Sequence, residues 1–191
     1  MTVSTATTAG QILTSAYVNN NINSFGTYIT GGTFSITNAA PLNLDNVFTA
    51  TYDNYILTTQ NITSAVGTTS VLLQWRVGGV TTVANYFTAY MGYTSAGATY
   101  NTGNNGGAVG IDVAIAETAA GSGSSVVNLM TPKTTGQPAA YGQLFAQGPG
   151  FYATRQGGGA LNAATDFDGF TLRASASTIT GTYTLFGIRK L

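Results

Sequence analysis

Short runs of β-prone residues recur along this chain from Phe25 onward, and Gly, Asn, Ser or Asp separate them. Asn54–Thr59, Val71–Val77 and Val109–Glu117 are clear examples. Thr, Tyr, Phe and Val suit half-buried pleated surfaces, and turn residues at intervals of roughly 8–15 residues are typical of antiparallel sandwiches and barrels. We therefore predict an all-β fold over residues 25–191, an antiparallel and jelly-roll-like β-sandwich of roughly nine or ten strands.

The run Val71–Val77 alternates most regularly. Val71, Leu73, Trp75 and Val77 share one face, because successive side chains of a strand point to opposite sides. Gln74 and Arg76 fall on the other face.

Glycine-rich stretches predict the connections. The pair Gly31-Gly32 lies between two β-prone runs, which is typical of a hairpin turn. Residues 92–108 are rich in Gly, Ser, Thr and Asn and are predicted to form a long exposed loop. Gln156–Gly159 is predicted to begin a second flexible loop.

Residues 1–24 differ from the rest because they hold no charge and no clear strand. Thr14-Ser15 could cap a short helical turn, although the asparagines that follow are poor helix formers. One interpretation is a frayed terminus, and the other is an arm that docks on a partner. The apolar side of this candidate arm would be formed by Ile12, Leu13, Tyr17, Val18 and Ile22.

Only 6% of the 191 residues are charged, with six basic and six acidic side chains and no net charge. An ordinary domain carries about 25% charged residues, and a net charge near zero promotes association. The sequence therefore predicts a protein that self-associates. Six dispersed cations do not make a nucleic-acid footprint, and no apolar run suggests a signal peptide or membrane span.

The residues that usually perform catalysis are scarce. His and Cys are absent, and Glu117 is the only glutamate. Hydroxyl nucleophiles normally need a nearby base such as His, and the two lysines, Lys133 and Lys190, lie in a turn and beside the C-terminus. We predict that the chain is not an enzyme and takes no cofactor.

Asp166 and Asp168 have the i, i+2 spacing found in cation-binding loops. The further ligands of such a loop are missing. A turn in which the two carboxylates bond local backbone is therefore the preferred interpretation, although a cation remains an alternative.

The predicted loop 92–108 resembles a binding surface in composition, since Tyr gives rigid contact area and Asn and Ser give hydrogen bonds. Its alternative is a solvated loop with aromatic rings packed on the core. The candidate receptor-contact residues are Tyr93, Tyr100, Asn101, Asn104 and Asn105.

Five segments carry a family resemblance. Asp168–Leu172 followed by Ile179–Lys190 resembles the C-terminal end of many virion proteins of tailed bacteriophages. Val47–Tyr55, together with Leu73–Arg76, is similar to their opening strands, and Ala9–Asn19 is similar to the start of a tail fibre or appendage.

The resemblance implies a virion structural protein: a fibre, a baseplate-associated protein or a capsid decoration. Such proteins are commonly homotrimers, and the resemblance brings no catalytic residues. Assembly with itself and with other virion proteins is the first hypothesis. The alternatives are a module that binds a host surface glycan and, less favoured because His is absent, a depolymerase.

Overall fold

A computed structural model describes residues 26–95, 97, 99–118, 121–134, 136–148 and 151–189. For residues 99–102, 104, 105, 117, 118 and 151 only the backbone is described. The candidate docking arm, with Ile12, Leu13, Tyr17, Val18 and Ile22, lies outside the described residues, as does Lys190. The described strands are β1 Thr27–Ile36, β2 Leu42–Leu44, β3 Tyr52–Ser64, β4 Thr69–Val77, β5 Val80–Thr81, β6 Tyr86–Thr94, β7 Thr99–Ala108, β8 Ile111–Thr118, β9 Ser122–Met130, β10 Ala139–Gly148, β11 Phe151–Leu161, β12 Gly169–Ala174 and β13 Ile179–Arg189.

The strands form two sheets that pack as a sandwich, which confirms the predicted all-β antiparallel fold. The large sheet has the order β1-β13-β3-β9-β10-β11-β6-β7. The small sheet has the order β2-β12-β4-β8, and β5 pairs with the end of β4. A short parallel pairing of β3 with β8 joins the two sheets at one corner, and the other described pairings are antiparallel.

The core between the sheets is centred on aromatic side chains. Phe48, between β2 and β3, packs on Tyr55, Phe170 and Trp75, with ring centroids 4.7, 5.6 and 5.7 Å away. Two of these contacts are tilted and the one with Phe170 is stacked; both arrangements are favourable for aromatic rings at these distances, and they add to the apolar area removed from water. These rings fix the two sheets at one end of the sandwich.

β4 follows the predicted alternation, but both of its faces are covered. Val71, Leu73 and Trp75 are buried as expected, whereas Val77, at the end of the strand, is exposed. Gln74 and Arg76 are buried as well, because the Gln74 amide donates to the Val109 carbonyl at 2.5 Å and the Arg76 guanidinium pairs with Asp45 at 2.7 Å. Buried polar groups of this kind are retained only where they have partners.

The predicted hairpin at Gly31-Gly32 is wrong. Both glycines lie inside β1, which runs unbroken from Thr27 to Ile36 and pairs with β13. A Cβ at Gly31 would lie 2.8 Å from the Tyr183 carbonyl oxygen, so close approach of β13 explains this glycine. Two glycines in sequence do not distinguish a turn from a tightly paired strand.

The two predicted glycine-rich loops are wrong for the same reason. Residues 92–108 form the end of β6, a short connection and the whole of β7, which pair as a hairpin. Gln156–Gly159 lies within β11, between β10 and β6. A Cβ at Gly158 would lie 1.8 Å from the Ala140 carbonyl oxygen, so this glycine also marks strand contact rather than flexibility.

Candidate functional site

The large sheet exposes an unusual number of apolar side chains on the face that points away from the small sheet. Along β9 and β10 burial alternates residue by residue, and the outward positions carry Val126, Met130, Tyr141 and Phe145 among Ser, Asn and Gln side chains. We call the outward surface of β9, β10, β11 and β6 the outer face. Its exposed large apolar side chains are Phe87, Met91, Tyr93, Val126, Met130, Tyr141, Phe145 and Tyr152.

Strand register arranges this face in rows that cross the four strands. The central row consists of Val126 on β9, Gln143 on β10, Gln156 on β11 and Met91 on β6. A groove of about 630 Å³ follows this row and the next, where Phe145 and Tyr93 lie. The groove therefore combines three amide side chains, those of Gln60, Gln143 and Gln156, with apolar and hydroxyl side chains, and Arg155 also lines it.

A second hollow of about 710 Å³ lies at the other end of the same face. Gly157, Gly158 and Gly159 form its floor, since these three consecutive residues of β11 carry no side chain. Phe87 and Tyr141 are among its walls. The Gln156 amide also hydrogen-bonds the Tyr141 hydroxyl, which links the groove to the hollow.

Arg155 is the only charged residue in β6, β9, β10 and β11, and it points to the inner face. Its guanidinium lies 3.3 Å from the Asp112 carboxylate on β8. Burial raises the pKa of Asp112 above its ordinary value, and the positive charge of Arg155 and a Ser70 hydrogen bond oppose that rise. This ion pair lies within the sandwich, and it leaves the described outer face without charge.

Two tyrosine hydroxyls on β6 bond the small sheet from the inner face. The Trp75 backbone N–H donates to Tyr86 Oη at 2.8 Å, and the Asp112 backbone N–H donates to Tyr90 Oη at 2.7 Å. Burial raises the pKa of Tyr86 and that of Tyr90. Both hydroxyls therefore remain protonated at neutral pH, and they position β6 rather than take part in chemistry.

The structure places the predicted receptor-contact residues in the hairpin of β6 and β7, not in a loop. Tyr93 projects from the outer face with 67% of its surface exposed. Tyr100, Asn101 and Asn104 pair in register with Gly92, Met91 and Thr88, and Asn105 lies in the same strand. The receptor-contact role of all five remains a prediction.

The residues that lie beside Tyr93 were not predicted from the sequence. Met91, Val126, Phe145 and Tyr152 share its face through strand pairing. The signal that could have found them is that β9 and β10 carry large apolar residues on both faces, whereas a strand with one solvated face normally alternates apolar with polar.

The aspartates of the predicted turn have protein partners. The Asp166 carboxylate lies 3.2 Å from the Lys133 ammonium, and Asp168 accepts the Gly78 N–H at 3.0 Å. The described part of the chain holds no group of three or more His, Cys, Asp or Glu arranged to bind a metal ion. It also contains no helix that could serve as a membrane span.

The chain matches no model of a protein family, and comparisons with curated proteins and with solved structures find no match either.

Proposed function

We propose that this protein is a non-enzymatic structural subunit of a phage particle and that it self-associates through the outer face. The observation that carries the proposal is an uncharged surface, four strands wide, with eight large apolar side chains exposed. Monomeric soluble proteins rarely expose a contiguous apolar patch of more than a few hundred Å². A surface of this kind favours contact with another protein.

The composition of the face supports this proposal. Three Tyr, two Phe, two Met and one Val make up its exposed large apolar groups. Aromatic residues and Met are enriched at the cores of protein interfaces, where Lys, Glu and Asp are depleted. The low charge of the chain acts in the same direction, because desolvating an unpaired charge in a contact is costly.

The size of the face is sufficient. Four strands spaced about 4.8 Å apart and about nine residues long cover roughly 600 Å², so two such faces would bury roughly 1,200 Å². That value is at the lower end of stable interfaces.

The location on a virion and the homotrimer come from the resemblance, and both are part of the proposal. Residues 1–24 would dock the subunit on other virion proteins, and the outer face would join copies of the chain. Sedimentation equilibrium measures the number of copies, and a single-chain mass at every concentration would contradict the proposed function.

A matched pair of variants tests the proposed surface. Val126 on the outer face and Val80 on the small sheet are both exposed strand valines, at 52% and 68%. Val126→Lys should weaken self-association at least tenfold, measured by light scattering over a concentration series, because its charge would have to be desolvated. Val80→Lys should have no effect, and equal behaviour of the two variants would assign the contact to another surface.

The second candidate function is binding of a neutral host glycan in the 630 Å³ groove. The observation that favours it is the pairing of the Gln143 and Gln156 amides with Met91, Tyr93 and Phe145 in one groove. Amides can bond sugar hydroxyls, and the apolar groups can pack on sugar rings. Retention of the wild-type protein by host cells, lost in Tyr93→Ser, together with a monomeric state, would favour this function over assembly.

A further inference from the structure

The outer face has two dissimilar ends on either side of its central row. One end carries projecting aromatic groups, with Tyr93 and Tyr152 exposed at 67% and 52%. The other end is the glycine-floored hollow, where Ala89 lies beside Gly158 in register. Projections at one end and a hollow at the other make the face complementary to a second copy of itself.

We propose that two copies of the chain pack outer face on outer face about a two-fold axis along the central row of Val126, Gln143, Gln156 and Met91. This proposal rests on the proposed function and names the partner and arrangement of that same surface. The arrangement is isologous, so each copy offers the same patch to the other.

The distances along a strand explain why this axis places the projecting end of one copy over the hollow of the other. Tyr93 and Ala89 lie on β6, two residues to either side of Met91. At about 3.3 Å per residue each is about 6.6 Å from the central row. A two-fold rotation about that row therefore brings Tyr93 of one copy over Ala89 and Gly158 of the other, where side-chain volume is smallest.

The same rotation brings no like charges together, because the described outer face has none. In this arrangement the two large sheets stack face to face, and stacked sheets pack about 10 Å apart. A two-fold contact joins copies in pairs, so the trimer implied by the family resemblance would need a second contact elsewhere on the chain.

Single cysteines test the axis, because the chain contains no cysteine and any bridge between two thiols must join two copies. Gln156→Cys places the two mutated residues opposite each other on the axis, with their backbones about 10 Å apart, and the two thiols lie closer than that because both side chains point to the contact. A short bismaleimide, with a span of less than about 10 Å, should give a covalent dimer. Gln143→Cys, on the same row, should give the same product. It provides the test if Gln156→Cys does not fold.

The matched control is Ser122→Cys. Ser122 is an outward residue of β9, four residues from Val126. Its mate would lie about 26 Å away, so the same reagent should leave this variant as single chains. Folding of each variant is checked by its urea midpoint.

The outcomes separate this proposal from the proposed function. Self-association with bridging at Ser122 and none at Gln143 or Gln156 would overturn the two-fold arrangement and leave assembly intact. A monomer with a reactive Gln156→Cys thiol would overturn both and leave the face free for a glycan. A monomer with an unreactive thiol would show that another part of the same chain covers the face, which also overturns both.

Discussion

Arg155 Nη1 lies 3.3 Å from Asp112 Oδ2, and this contact crosses the sandwich from β11 of the large sheet to β8 of the small sheet. About a fifth of each side chain is exposed, so the pair is mostly removed from water. Two effects follow. The pair links the sheets, and it turns the one charge of the four outer-face strands away from that face.

Arg155→Met should destabilise the fold by about 2 kcal/mol at neutral pH, measured as the free energy of unfolding in urea. The variant leaves the Asp112 carboxylate in a partly dry site without the guanidinium beside it, and breaking a fully buried pair would cost about 3–5 kcal/mol. Partial exposure reduces that value. Arg155→Met combined with Asp112→Asn should recover most of the loss, and a double variant as unstable as the single one would contradict this account.

The pH dependence of stability should report on Asp112. Its pKa is raised in the folded protein, mainly by burial, above an unfolded value of about 3.9. Its contribution to stability is therefore fully present below that value and is lost as pH rises through the folded pKa. The free energy of unfolding of the wild type, minus that of Asp112→Asn, should fall as pH rises from about 3.5 to 7, and a rise would have the wrong sign.

Tyr86→Phe should cost about 1–3 kcal/mol of stability. The Tyr86 hydroxyl accepts the Trp75 backbone N–H at 2.8 Å and donates to the Thr82 carbonyl at 2.9 Å, so its loss leaves a buried backbone N–H without an acceptor. Tyr28→Phe is the matched control, since Tyr28 is 61% exposed and its loss of a hydroxyl should change stability by less than about 0.5 kcal/mol. Equal effects in urea denaturation would exclude a structural role for the hydrogen bonds of Tyr86.

Gly158→Ala should destabilise the protein by about 3 kcal/mol or more, because its Cβ would lie 1.8 Å from the Ala140 carbonyl oxygen and β10 would have to shift. Gly32→Ala is the control in β1, where the nearest atom to a new Cβ lies 3.8 Å away. That variant should be neutral or slightly stabilising. Similar thermal midpoints for the two variants would show that β11 tolerates a side chain in the hollow.

The fold class was predictable from sequence because alternation and turn spacing are local signals. The regular alternation of Val71–Val77, for example, lies within β4. The predictions of a turn at Gly31 and of a flexible loop at Gly158 were wrong, because these glycines allow a neighbouring strand to approach closely. That approach depends on pairing between distant segments, which local composition does not encode.

The candidate site was predictable only in part. Tyr93 could be chosen from composition, but its neighbours come from strands β9, β10 and β11, which follow much later in the chain. Register decides which side of a strand a residue faces, and a shift of one residue would move Val126 and Phe145 into the core. The outer face is therefore a product of pairing rather than of any single segment.

Tyr93→Ser should weaken self-association at least thirtyfold, since exposed aromatic groups near the centre of an interface often contribute 2 kcal/mol or more. Tyr28→Ser is the matched control, because Tyr28 is similarly exposed at 61% on β1, at the far edge of the large sheet. Dissociation constants from a dilution series of each variant measure the difference. A larger effect from Tyr28→Ser would move the interface to the β1 edge.

Sedimentation equilibrium of the wild-type protein across the micromolar range tests the central claim most directly. Association through the outer face predicts a mass that is a multiple of the single chain and that falls towards one chain in Val126→Lys. A wild-type protein that has the mass of one chain at every concentration would contradict this account.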